Sequence, residues 1–199
     1  MCIRDRYEAS QAGVEIDLIV RGICSLRPGL PGVSERIRVR SIIGRFLEHS
    51  RIFYFHNDGA EDLYCGSDDW MPRNLFERCE VMFPIRDAAL RNRLRNEILG
   101  AMLADTVKTR LLGPEGGYTR LRDSEEGRAL PVFNSQEFFM AVAEGLASVA
   151  EIPEKRVEKA LMQAAPEAEP DGMLVGEVRL EGVLESGEGR KKKHGRRKE

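Results

Sequence analysis

A single histidine set among arginines is the strongest chemical signal in this chain. Residues 44–55 read GRFLEHSRIFYF, so His49 stands four residues after Arg45 and two before Arg51. Histidine accepts, donates or holds a phosphoryl group near neutral pH, and guanidinium forks grip phosphate oxygens two at a time. A second element of the same kind lies upstream. There the apolar run Ile16-Asp17-Leu18-Ile19-Val20 leads directly into Arg21-Gly22. An arginine at the carboxyl end of a strand is where open α/β sheets bind ligands. Downstream, Gly66-Ser67 is small enough to let backbone N–H groups approach an anion. Set against these features, a lone histidine between strands is more often a capping or solvent-facing group.

Other charged positions leave two readings open. Arg36, Arg38 and Arg40 alternate along one segment, which describes either a solvated strand face or, with Arg45 and Arg51, the lining of a polyanion channel. Asp68 and Asp69 are adjacent, so their side chains point apart on a strand or turn, and they read as turn formers. Trp70 and Met71 read as packing residues. Four cysteines without C-x-x-C spacing and three histidines, one of them in the tail, give no zinc pattern. No metal ligands are expected in this chain.

The elements that must position these residues follow from pattern. Tyr7–Gly13 reads as the end of a helix closed by glycine, with its front lying before the chain. Ile16–Val20 is apolar enough for a strand buried on both faces. Ile37–Ile42 alternates as a half-buried strand, and Arg51–Phe55, Asp62–Cys65 and Cys79–Phe83 are three more. Asp87 caps a helix running to about Thr109. Residues 113–132 read as a linker, and Asn134 caps a helix through Val149. Pro153 opens another helix to about Gln163, Leu174–Leu184 alternates as an edge strand, and 186–199 form a disordered basic tail. The tail holds seven Lys/Arg between Arg190 and Glu199, enough to bind polyanions without specificity. Hydrophobic residues make up 42% and charged residues 32%, which supports a real core with a highly charged exterior. No apolar run nears the roughly 20 residues of a membrane helix. The opening residues do not read as a signal peptide, and unpaired thiols point to a reducing cytoplasm.

Several long segments together carry a resemblance. Tyr7–Val14, Ile16–Cys24, Leu26–Gly29, Ile37–Ile42, Gly44–Phe55, Gly66–Leu75 and Arg78–Pro84 follow, in order, the C-terminal part of bacterial polyphosphate kinases. A looser echo lies at Phe133–Met140, and the resemblance covers roughly Tyr7 to Leu112. It implies a phospholipase D-like α/β fold, a mixed sheet flanked by helices, with a small helical extension over 133–185. The superfamily pattern is H-x-K followed by G-S-x-N. Here it stands as His49-Ser50-Arg51 and Gly66-Ser67-Asp68-Asp69, with arginine for lysine and Asp69 in the asparagine place. That departure favours the kinase branch over phosphodiester hydrolysis.

The resemblance further implies reversible transfer of the ATP γ-phosphoryl group to inorganic polyphosphate, with Mg2+, through a phosphohistidine. Arg21 and His49 would contact the ATP phosphates, and His49 would assist transfer as an acid/base or a charge stabiliser. The phosphohistidine belongs to the preceding half of such enzymes, so this chain is expected to hold one half of a two-part site and to be inactive alone. The missing N-terminal half and further copies of the full-length enzyme are the implied partners. Two rival readings are a phosphodiesterase half-site completed by dimerisation and a non-catalytic polyanion-binding module built on Arg36, Arg38, Arg40 and the tail.

Overall fold

A computed structural model describes residues 3–153. Helix α1 (Ile3–Gln11) ends where expected: Gly13 takes φ +95°, a left-handed conformation that glycine adopts without strain, and Val14 N–H reaches back to Ala9 O at 3.0 Å. Strands β1 (Ile16–Ile19), β2 (Ile37–Ile42), β6 (Thr109–Leu112) and β7 (Tyr118–Arg120) make one sheet in the order β1-β2-β6-β7. The β1–β2 pair is parallel and the other two are antiparallel. Strands β3 (Ile52–Phe55), β4 (Asp62–Gly66) and β5 (Met82–Pro84) form a separate antiparallel sheet. The α/β class agrees with the sequence, but there are two sheets rather than one. The turn after Ile42 at Gly44 takes the chain out of the first sheet before β3 begins.

The core under the first sheet joins Leu26, Ile37, Val39 and Leu112, with Tyr7, Ile16, Leu18 and Val20 packed against it. Burying each large aliphatic side chain contributes about 1.5–3 kcal/mol. β1 corrects one expectation. It is a half-buried edge strand, because its outward residue is Asp17, whose carboxylate is needed by β2.

The helix capped by Asp87 is correct at its start and too long at its end. Asp87 Oδ1 accepts the Leu90 N–H at 2.8 Å, opening α3 (Ala88–Asn92). A π-helical stretch (Arg93–Leu99) and α4 (Gly100–Ala104) continue it. There it stops, because fully buried Asp105 turns extended and its Oδ1 accepts the N–H groups of Lys108 (2.7 Å) and Thr109 (3.1 Å). Thr109 begins β6 instead. The stretch read as a linker is also structured. It contains β7, which pairs with β6, and the short helix α5 (Glu125–Ala129), capped by Ser124.

Asn134 caps α6 (Ser135–Ala143), which is shorter than expected, since Gly145 at φ +74° closes it and Val149–Glu151 is a separate 3-10 turn. α2 (Pro72–Glu77) follows the Gly66–Trp70 turn. The expected helix after Pro153, the strand Leu174–Leu184 and the basic tail lie outside the described residues. Among the described residues, no helix is long and apolar enough to cross a membrane.

Candidate functional site

Arg21 stands two residues beyond β1, and His49 stands in the loop leading into β3, so the site joins the two sheets. Asp69, from the turn after β4, draws them together. Its Oδ2 accepts from Arg21 Nη2 at 3.3 Å, while its Oδ1 receives Arg51 Nε at 3.2 Å and Nη2 at 3.1 Å. Arg21 Nη1 also donates to the Glu48 carbonyl at 3.1 Å, which ties β1 to the residue before His49. Arg51 Nη1 lies 2.9 Å from His49 Nδ1 and 3.4 Å from Nε2, and it donates to the His49 carbonyl at 3.2 Å. A guanidinium only donates. The closer imidazole nitrogen, Nδ1, is therefore the acceptor, which leaves the proton of a neutral ring on Nε2.

The result is two guanidinium groups sharing one carboxylate beside an exposed imidazole. Arg21 remains 31% exposed, and one Asp neutralises only one of the two positive charges. An incoming phosphate can compete for the Arg21 fork, whose single long contact to Asp69 is open to solvent, while Arg51, 16% exposed, keeps Asp69 in place. Arg45 is less committed, with its guanidinium 5.5 Å from the centre of the Phe46 ring.

The neighbouring turn is organised differently from the sequence expectation. Ser67 N–H donates to Val81 O at 2.9 Å and its hydroxyl donates to Glu80 at 2.6 Å, so neither is held ready for an anion. Glu80 also receives Asn74 Nδ2 at 2.8 Å. Ser67's hydrogen bond, helped by Asn74 and by the charges of Arg78 and Arg51, holds the Glu80 carboxyl below its ordinary range despite desolvation. Gly66 is required for a packing reason: a Cβ there would fall 2.5 Å from Asp68 Oδ1 and 3.2 Å from Val81 O. Asp68 does turn inward while Asp69 turns to the arginines, so the adjacent pair points apart as expected. Trp70 is a packing residue. It stacks on Phe53 with ring centres 5.0 Å apart, and Arg6 lies 4.4 Å from its ring centre on α1.

Arg38 and Arg40 of β2, and Arg36 just before it, are drawn into structural ion pairs. Arg38 forks onto both Asp17 oxygens (3.0 and 2.8 Å) and reaches Glu15 at 3.1 Å, and Arg36 binds the other Glu15 oxygen at 2.6 Å. Arg40, 1% exposed, binds Asp17 at 3.1 Å and Leu103 O at 2.7 Å. This arrangement does not present Arg36, Arg38 and Arg40 as an open channel, because the negative charge between them is the protein's own. It also removes the β2 basis for a polyanion-binding module.

The residue that sequence reasoning missed is Gln136 at the start of α6. Its Oε1 accepts the Phe46 N–H at 3.0 Å, and its Nε2 donates to Phe46 O at 2.9 Å and to the Glu48 carboxylate at 2.6 Å. It therefore fixes the loop that carries His49 across 90 positions of sequence. Asp105 anchors the same helix end by accepting Ser135 N–H and Oγ, each at 2.8 Å. The one available signal was the faint likeness at Phe133–Met140.

With the geometry in hand, comparison with known proteins is direct. The family described as polyphosphate kinase C-terminal domain 2 matches residues 1–131. The chain belongs to the polyphosphate kinase family. A polyphosphate kinase from Burkholderia ambifaria (strain MC40-6) is 60% identical over 116 residues, covering 58% of this chain and 17% of that protein. Polyphosphate kinase 1 from Chlorobaculum tepidum is 54% identical over 138 residues, covering 69% of this chain and 19% of the relative. The crystal structure of polyphosphate kinase from Porphyromonas gingivalis superposes with a TM-score of 0.65 at 38% identity, covering 72% of this chain and 21% of that one. The chain thus spans about a fifth of the length of these polyphosphate kinases. The phospholipase D-like α/β class expected from the sequence accords with that structural neighbour. Among the described residues, no three His, Cys, Asp or Glu side chains gather as a metal site, and Asp69 is engaged by two arginines. These residues do not fit a protein-held Mg2+.

Proposed function

We propose that this chain supplies the Arg21–His49 wall of a cytoplasmic polyphosphate kinase. The reaction is reversible transfer of the ATP γ-phosphoryl group to inorganic polyphosphate through a phosphohistidine that lies outside the Tyr7–Leu112 stretch. The bond from the γ-phosphorus to the bridging oxygen breaks, ADP leaves, and the phosphorus bonds to the partner histidine. In the second step polyphosphate takes the group and grows by one unit. Any Mg2+ enters on the nucleotide.

The observation that carries this reading is the convergence of Arg21 and Arg51 on Asp69 beside His49, within a family of polyphosphate kinases. Phosphoryl transfer asks mainly for positioning and for positive charge at the equatorial oxygens. Arg21 grips the phosphates, and Arg51 orients His49 through Nδ1 and the His49 carbonyl. His49 then holds a proton at a phosphate oxygen or stabilises its charge. Residues 1–112 hold this wall, and the segment beyond 133 braces it through Gln136. The rest of the enzyme, including its N-terminal half and further copies, completes the site.

Calorimetric titration of the 199-residue protein with MgATP tests the assignment. Arg21→Ala and His49→Ala are each expected to weaken ATP binding, Arg21→Ala by about tenfold or more, which corresponds to one charge-assisted contact. Arg36→Ala, at an exposed ion pair away from the site, serves as the unaffected control. Unchanged ATP affinity in both site variants would sink the proposal.

A further inference from the structure

Arg110 and Arg120 stand directly opposite each other in the β6–β7 register, and Lys108 lies two residues before Arg110, hence on the same side of the strand. Together with Ile43 they line a cavity of about 140 Å³. Like charges placed directly across a strand pair repel and destabilise it. Elsewhere on this sheet the same problem is solved by carboxylates, as Asp17 and Glu15 do for the arginines of β2. Here, among the described residues, no acidic side chain pairs with them. Among the described residues, the side chains of Lys108, Arg110 and Arg120 make no ion pair or hydrogen bond. Three cations gathered around one hollow without a counter-ion define an anion site in waiting.

The topology gives that hollow a location. β1 and β2 are parallel, β6 is antiparallel to β2, and β7 is antiparallel to β6. Ile43 therefore follows the end of β2, Lys108 precedes the start of β6, and Arg120 closes β7, all at one edge of the sheet. Arg21, beyond the end of β1, stands at that same edge. Two strand spacings, about 10 Å, separate β1 from β6. Ile43 N–H is bound to Lys108 O at 3.2 Å, so the hollow sits at the root of the loop that carries Arg45 and His49.

We propose that Lys108, Arg110 and Arg120 form a second phosphate-binding subsite, distinct from the Arg21–His49 wall, that holds a phosphate group of a linear inorganic phosphate chain. The choice of a phosphate chain as ligand rests on the function proposed above. Two arginine forks and a lysine match a tetrahedral group bearing several negative oxygens.

Titration of the 199-residue protein with tripolyphosphate, with and without saturating ATP, tests the subsite. The wild-type protein is expected to bind tripolyphosphate while ATP is bound. R110Q/R120Q should lose about tenfold in tripolyphosphate affinity and keep its ATP affinity. It should also melt no lower than wild type, because the substitution removes repulsion. Lys108→Gln, which leaves the facing arginines in place, is expected to lose about threefold and carries the test if the double variant does not fold. The subsite is overturned if the wild type does not bind tripolyphosphate, if the variants bind it unchanged, or if ATP excludes it fully. Tighter binding of a short single-stranded oligonucleotide than of tripolyphosphate would overturn the choice of ligand. Arg21→Ala and His49→Ala proteins that both keep wild-type ATP affinity would instead defeat the proposed function and leave the pocket result standing.

Discussion

Asp17 shows how one carboxylate decides what two arginines do. Burial pushes its carboxyl up, but hydrogen bonds and charge from Arg38 and Arg40 outweigh that and hold it below the ordinary value. A carboxyl that titrates lower folded than unfolded gives its full stabilisation above the unfolded value of about 3.9. That stabilisation is lost as pH falls through the folded value. Asp17→Asn leaves Arg40 buried beside a neutral amide, and it should cost about 3–5 kcal/mol in urea unfolding at pH 7. Its stability should then vary less than that of wild type below about pH 4, which an acid series of the same unfolding curves measures. Arg51 presents the functional counterpart, since a single fork holds both Asp69 and His49. Arg51→Lys keeps the charge and loses the fork, and about a five- to tenfold weaker ATP affinity is expected by calorimetry.

Among the elements, α6 has the largest effect on the site while contributing no residue that would touch phosphate. Gln136, 5% exposed, grips Phe46 and Glu48, and the Glu48 carbonyl in turn receives Arg21. Gly44 is shaped to this grip: a Cβ there would lie 2.3 Å from Gln136 Oε1. Gln136→Ala should destabilise the fold by about 1–3 kcal/mol, since it strands buried polar groups. It should also weaken ATP binding several-fold, with Gly44→Ala doing the same by pushing Gln136 aside. A Gln136→Ala protein with wild-type ATP affinity would show that the loop keeps its shape without the brace.

These elements also mark where the sequence can be read. Asp87 and Asn134 were legible as caps because capping acts within three residues. The end of the helix at Ala104 was not: Asp105 closes it locally onto Lys108 and Thr109, but its second oxygen is held by Ser135, thirty residues away. The β6–β7 hairpin was obscured by its own glycine-rich turn, which makes residues 113–117 look like a linker.

At the scale of the whole molecule, the proposed function makes the described residues one wall of a site. Among them the other histidine is His56, at the far end of β3 from His49. The purified 199-residue chain is therefore expected to bind ATP without forming polyphosphate, as read by gel staining of phosphate chains. ATP-dependent polyphosphate from this chain alone would show that the transferring group lies within it.

The sequence by itself determined the caps at Asp87 and Asn134, the starts of β1, β2 and β4, and the family likeness. These depend on residue type and short spacing, which local sterics and hydrogen bonding translate directly. Only the tertiary structure decided which arginines are left for a ligand. Arg36, Arg38 and Arg40 meet Glu15 and Asp17, just before and within β1, whereas Lys108, Arg110 and Arg120 meet no carboxylate among the described residues. Charge is written in the sequence, but its neutralisation depends on strand register and on contacts across as many as 90 positions.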